Sequence, residues 1–266
     1  MGKVVTDEHP TSKLTETQRL DASYFNSLWL ELYKRDHIQP EVVSDEEMWQ
    51  RDLGHSLRVA FEWLGDLRAK RVLELGCGPG DYTIMMARRG AQVTAIDIAP
   101  ASLQITRHRA RRNGVDSVVH VSWTAAEQLA FPAETFDRVV GFGLLHHADL
   151  VALGPEVRRV LRSGGRALFR EPLRTNPVLQ FAREHLPYRD KHRSPNEKPL
   201  DHSDISRLGD HFRATRVREF YLFSMISRVV GSEMSIPALW ALDEFLIQHL
   251  SLVRRWCRYV LVEYAA

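Results

Sequence analysis

Residues Val72-Leu-Glu-Leu-Gly76-Cys-Gly78-Pro-Gly80 constrain this chain more than any other segment: an apolar run ends in three alternate glycines, and a helix-length segment follows. A short, mostly apolar run such as Arg71–Leu75, closed by turn residues, reads as a strand. Alternate glycines let the backbone turn sharply at the strand's end and approach a ligand with no Cβ in the way. The pattern then repeats in kind. Strand-like runs at Arg71–Leu75, Gln92–Asp97 and Phe136–Phe142 alternate with helical segments at Asp81–Arg89 and Ala101–Asn113, which close on Gly90 and Gly114. A helix over Leu153–Leu161 leads through the tight Ser163-Gly164-Gly165 turn into another strand, Arg166–Glu171. Alternation of this kind predicts βαβ units, hence a parallel sheet with helices on both faces.

The flanks are different in character. Residues 1–19 read as a flexible tail, polar and without a period up to about Thr17, with order starting near Leu20. Gly2 and Thr6 match a short myristoylation pattern that chance often produces. Tyr24, Phe25, Leu28, Trp29, Leu32 and Tyr33 fall on one face of a helix, and a second helix is expected through Glu46 to Leu67, so residues 20–67 form a helical cap. For Tyr24 and Trp29 packing on the sheet is favoured over lining a pocket. Residues 174–201 hold or adjoin five prolines, Pro172, Pro177, Pro187, Pro195 and Pro199, with Phe181, Leu186 and Tyr188 interspersed. A segment that long after a strand end suggests a packed lid. Strands at Val217–Leu222 and Cys257–Tyr264 and a helix at Ala238–Leu252 complete the expected elements, all in one domain spanning 20–266. Phe220, Tyr221, Phe223, Met225 and Met234 are substrate walls or ordinary core.

Composition excludes several classes. Of the 266 residues 44% are hydrophobic and 26% charged, enough to bury a full core. A net charge of +2 supplies no strong field for phosphates, so nucleic acid is not an expected partner. Two cysteines make neither a disulfide framework nor a zinc site, which suits a reducing cytoplasm. Ile236–Val262 carries Asp243, Glu244, His249, Arg254, Arg255 and Arg258, so no span of membrane is expected. Twelve histidines show no ligand spacing, His185, His192 and His202 read as solvated loop residues, and no metal is expected. The oligomeric state is left open, a dimer included.

The glycine spacing GxGxG, with Glu74 two positions before the first glycine, resembles the first motif of class I S-adenosylmethionine (SAM)-dependent methyltransferases rather than the dinucleotide fingerprint GxGxxG. SAM's ammonium group needs acceptors rather than phosphate-binding amides. A second strand ends in Asp97, about 20 residues beyond the glycines, where this architecture places an acid on ribose hydroxyls. Ala125-Ala126-Glu127-Gln-Leu129-Ala-Phe131-Pro132 with Phe136-Asp137 is similar to the family's adenine-contact segment, except that Ala125 replaces its usual acid; Thr124 or a backbone carbonyl is then the substitute. Gly141-Phe-Gly-Leu-Leu145-His146-His147 and Val157-Arg-Arg-Val-Leu-Arg-Ser-Gly-Gly165 resemble the segments that follow the fourth strand and precede the fifth.

The resemblance implies a Rossmann-like α/β fold with a seven-stranded, mostly parallel sheet in the order 3-2-1-4-5-7-6, the last strand antiparallel. It implies SAM as cofactor and S-adenosyl-L-homocysteine as product, held by Glu74, Gly76, Cys77, Gly78, Gly80, Asp97, Ile98, Ala126, Glu127 and Phe142. The acceptor is then an oxygen or nitrogen of a small-molecule metabolite, natural products included. Carbon or sulfur methylation and a non-catalytic SAM-binding regulator are the alternatives. RNA or protein methylation would call for a basic track, and no Asn/Asp-Pro-Pro-Tyr sequence follows the fourth strand. His146, His147 and Glu171 follow neighbouring strand ends and are the candidates for a base with an orienting carboxylate, the two histidines being indistinguishable at this level.

Overall fold

The expected strands form, and one that the sequence reading did not mark, Val119–Trp123, joins them at the edge of the sheet. The structure, a computed structural model, describes residues 14–42, 44–51, 53–177, 181, 194, 196–224 and 236–266. The parallel strands are β1 (Arg71–Leu75), β2 (Gln92–Asp97), β3 (Val119–Trp123), β4 (Phe136–Phe142) and β5 (Leu161–Pro172). They pair in parallel, while β7 (Tyr259–Ala265) runs antiparallel to both β5 and β6 (Ala214–Phe220). The order β3-β2-β1-β4-β5-β7-β6 is the one the resemblance implies.

Because successive strand residues face opposite sides, this sheet has two cores. Val72, Val140 and Leu168 face one side, with α3 (Gly54–Leu64), α4 (Asp81–Arg88) and α5 (Pro100–Arg112) packed over them. Leu73, Val139, Ala167 and Phe169 face the other, beneath α6 (Leu150–Val160) and α7 (His202–Gly209). Gly90 and Gly114, the expected helix caps, have φ of +85° and +67°.

Several boundaries differ for local reasons. Order begins before Leu20: α1 runs Glu16–Lys34, because Thr15 and Gln18 close a reciprocal capping box that satisfies its first amides. The single helix expected over Glu46–Leu67 is two, α2 (Asp45–Gln50) and α3, since Arg51 is extended at ψ 163°. β5 starts at Leu161 and absorbs the Ser163-Gly164-Gly165 turn, which an irregular register between Phe136 and Arg138 accommodates. The sequence reading missed α7, whose Asp201 caps it by accepting from Ser203 and Asp204. The C-terminal helix, α8, is Ile236–His249, and a 3-10 turn at Ser251–Trp256 leads into β7.

The ends of the proline-rich segment are pinned together beside β5: Leu173 bridges Leu200, and the Arg174 amide donates to the Leu200 carbonyl at 2.9 Å. Most of that segment, with Leu186, Tyr188, His185 and His192, lies outside the described residues, as do residues 1–13, Met225 and Met234. Phe220 and Tyr221 are buried core and Phe223 is exposed. Among the described residues no helix is long and apolar enough to cross a membrane.

Candidate functional site

A cavity of about 480 Å³ opens at the carboxyl ends of β1, β2 and β4. Open α/β sheets bind ligands at that edge, and the volume suits a small molecule. Its floor is the glycine turn. Gly78 has φ +51° and faces the cavity, where a Cβ would meet only the Trp29 ring at 3.5 Å. Gly80 has φ +84°, caps the start of α4 and lies off the cavity; a Cβ there would sit 2.6 Å from Thr106 Oγ1. Gly80 is thus conformational and steric rather than a wall, which corrects its reading as a ligand contact.

Asp97 ends β2 with its carboxylate shared between two backbone amides: Oδ2 accepts from Gly78 at 2.9 Å and Oδ1 from Ala99 at 2.8 Å. Each oxygen keeps lone-pair capacity for a further donor. Burial raises its pKa, and the two amides oppose that shift. Ile98, Ala126, Glu127 and Phe142 join Gly76, Cys77, Gly78 and Asp97 on the cavity wall. The Cys77 thiol is buried, with its pKa pushed well up by desolvation. Thr124 also lines the cavity, and its hydroxyl donates to the Gln128 carbonyl at 3.1 Å.

Glu74 is misplaced by the sequence reading. It is 1% exposed, and its carboxyl accepts from the Thr83 hydroxyl within the core rather than reaching the cavity. Desolvation pushes its pKa up to about 8, so it is mostly protonated at neutral pH. Its position on β1 faces α4, which the strand's alternation dictates.

The histidine pair separates into two roles. Glu171, fully buried, accepts from the Leu144 and Leu145 amides at 2.9 Å each and pairs with His146 Nδ1 at 2.7 Å. His146 is therefore locked to Glu171, yet neither lines the cavity among the described residues. His147 does line it. Its Nδ1 lies 3.3 Å from Ser194 Oγ and 3.7 Å from Asp21 Oδ2, and its ring stands edge-on to Phe25 at 5.2 Å. Burial, with His146 alongside, drives its pKa down to about 3.

The outer wall is α1. Gln18, Asp21, Phe25, Trp29 and Leu32 line the cavity, whereas Tyr24 does not. Trp29 therefore faces a ligand space rather than merely packing on the sheet. Asp21, Phe25 and Trp29 are spaced by four, so a carboxylate in register with an aromatic stripe was the overlooked signal. Gln18 ties α1 to the loop between β3 and β4 by donating to Glu127 at 2.9 Å. Four carboxylates, Asp21, Asp81, Asp97 and Glu127, lie on the wall and no lysine or arginine does among the described residues. Arg109 pairs Asp81 at 2.9 Å. A wall with three acids unpaired by lysine or arginine suits a cationic, donor-rich ligand along that stretch. Sulfonium and ammonium groups are of that kind, so these residues fit SAM.

Residues 72–165 match a family described as methyltransferase domain. A demethylmenaquinone methyltransferase of Tropheryma whipplei (strain Twist) is 35% identical over 139 residues, covering 50% of this chain and 55% of that protein. A ubiquinone biosynthesis O-methyltransferase of Xanthomonas oryzae pv. oryzae (strain PXO99A) is 39% identical over 117 residues, 42% of this chain and 47% of that one. The chain thus spans about half the length of the curated relatives it matches. Geranyl diphosphate C-methyltransferase of Streptomyces coelicolor A3(2), solved with Mg2+, geranyl-S-thiolodiphosphate and S-adenosyl-L-homocysteine, superposes with a TM-score of 0.62 at 16% identity, covering 94% of this chain and 98% of that chain. The [4+2]-cyclase SpnF shares the fold too, with a TM-score of 0.52 at 17% identity over 78% of this chain and 80% of that chain. Fold alone does not fix the reaction.

Proposed function

We propose that this chain, whose residues 72–165 match a methyltransferase domain family and whose sheet has the order β3-β2-β1-β4-β5-β7-β6, transfers a methyl group from SAM to an oxygen or nitrogen of a small-molecule metabolite. The observation that carries the proposal is the acid-bearing cavity at the strand ends, whose lining holds Gly78, Asp97 and His147 together. SAM supplies an electrophilic methyl on a sulfonium, so in-line attack by the acceptor is all the chemistry that remains. Asp97 and the Gly78 turn hold the cofactor, Asp97 through its ribose hydroxyls. Phe25, Trp29 and Phe142 exclude water, which strengthens the electrostatic contacts inside.

His147 is the group that meets the acceptor. Held neutral by burial, it accepts a hydrogen bond from an acceptor's hydroxyl or amine. A ring with so low a pKa is a weak base, but Asp21 at 3.7 Å stabilises the imidazolium as it forms. His146 and Glu171 act on position: the carboxylate organises the turn that carries His147. Relatives whose names specify O-transfer and a fold neighbour named for C-transfer leave the acceptor atom to His147's chemistry.

The test is incubation with labelled SAM and a metabolite extract, with the labelled product identified and S-adenosyl-L-homocysteine binding measured by calorimetry. Product labelled on oxygen or nitrogen is expected. Cofactor binding with no label transferred to any small molecule would overturn the catalytic reading, and a label on carbon or sulfur would overturn the choice of atom.

A further inference from the structure

Arg170, the tenth residue of β5, is a buried cation with no counter-anion in ion-pair contact among the described residues. Its side chain lies on the α3 and α4 side of the sheet and is 6% exposed. Nη1 donates to the Leu53 carbonyl at 3.2 Å and lies 3.4 Å from Ser56 Oγ, and Nη2 donates to the Tyr82 hydroxyl at 3.1 Å. Cζ stands 5.8 Å from the ring centre of Tyr82, 5.9 Å from Phe142 and 5.7 Å from Tyr259. Nε is buried with no partner. Among the described residues no carboxylate lies within ion-pair distance. Glu171, next in sequence, points to the opposite face, where His146 and two amides take it.

Neutral partners and aromatic faces compensate a buried guanidinium only in part, and burying a charge without an opposite charge is costly. Two of those partners, Tyr82 and Phe142, also line the cavity. The Tyr82 phenol stays protonated, because burial raises its pKa despite Arg170. Since its oxygen accepts from Arg170, its own O–H remains free to donate to a ligand. Among the described residues the charged groups on the cavity wall other than histidine are carboxylates, and this corner is where a guanidinium backs onto it.

We propose that Arg170, acting through Tyr82, recognises an anionic group, a carboxylate or phosphate, on the methyl acceptor. The inference rests on the reading of the cavity as a methyl-transfer site and adds the acceptor's charge to it. The acids hold a cationic cofactor, and the Tyr82 corner holds an acceptor of the opposite sign, so the two ligands sort themselves by charge.

The test uses the full chain loaded with S-adenosyl-L-homocysteine and titrated by calorimetry with benzoate, phenyl phosphate and the neutral benzamide. At least one anion should bind about 10-fold or more tightly than benzamide, the factor carried by one charge-assisted hydrogen bond. Which anion binds better decides between carboxylate and phosphate. Arg170→Gln should erase that preference and leave the affinity for S-adenosyl-L-homocysteine unchanged. Should that variant not fold, Tyr82→Phe removes only the hydroxyl between guanidinium and cavity and should reduce the preference likewise. Equal binding of benzamide, no binding of either anion, or a preference intact in a folded variant would each overturn the assignment. Failure of wild type to bind S-adenosyl-L-homocysteine is read separately and strikes the methyl-transfer reading instead.

Discussion

Replacing Gly78 or Gly80 by alanine should have opposite consequences, although the two are neighbours in one motif and both left-handed. At Gly78 (φ +51°) the added Cβ meets only the Trp29 ring at 3.5 Å, an ordinary contact. The stability cost is then the left-handed strain alone, about 1–2 kcal/mol. At Gly80 (φ +84°) the same strain is joined by a clash with Thr106, whose Oγ1, Cγ2 and Cβ would lie 2.6, 2.8 and 3.0 Å away. Thr106 is buried and β-branched, and its hydroxyl donates to the Gly78 carbonyl at 3.1 Å, so it has little room to yield. Overpacking adds about 1–3 kcal/mol, for a total of about 2–5. A kcal/mol shifts the melting temperature of a chain this size by about 2–4 °C. Gly78→Ala should therefore melt about 2–8 °C lower than wild type, and Gly80→Ala about 4–20 °C lower. Affinity should run the other way. The Gly78 Cβ enters the cavity and should weaken S-adenosyl-L-homocysteine at least about 10-fold, or 1.4 kcal/mol, whereas Gly80→Ala, measured well below its melting point, should bind nearly as wild type does. Differential scanning calorimetry and titration calorimetry on both variants give the answer. A Gly78→Ala protein with wild-type affinity, or the two melting together, would refute the division of the motif into wall and hinge.

Asp97→Ala should weaken the cofactor by about 1.5–3 kcal/mol; if wild type and variant lose equally with an analogue lacking both ribose hydroxyls, Asp97 does not hold the ribose. Glu74 has a folded pKa raised to about 8, above its unfolded value, so its contribution is present in full below the unfolded pKa and is lost as pH rises towards 8. Urea unfolding should show stability falling over that window, and Glu74→Gln should flatten the fall. Glu171→Gln should cost about 1–3 kcal/mol of stability through two backbone amides robbed of a charged acceptor, a loss that denaturant titration reads directly. His147→Ala should keep its affinity for S-adenosyl-L-homocysteine while kcat drops about 100-fold, the lower end for a group assisting proton loss; undiminished turnover across the pH range would remove His147 from the chemistry.

What the sequence determined is what local pattern controls. A buried strand such as Arg71–Leu75 must be largely apolar, the glycines must follow the strand they terminate, and helices must alternate with parallel strands to cross back over the sheet. The βαβ core and the glycine turn that floors the cavity were therefore legible, as was Asp97 at the end of β2, while the full strand order came from the resemblance. Register and facing across the fold were not legible. Glu74 sits beside the motif, yet strand alternation turns it into the core, where desolvation rather than a ligand sets its charge. His146 and His147 are adjacent letters, and only the tight turn between β4 and α6 sends one ring to Glu171 and the other to the cavity. Arg170 and Tyr82 are 88 positions apart, and nothing local announces that they meet. Tertiary structure decided these points because a side chain's charge and reach depend on what packs against it from distant elements, and the period of a strand or helix carries no record of those neighbours.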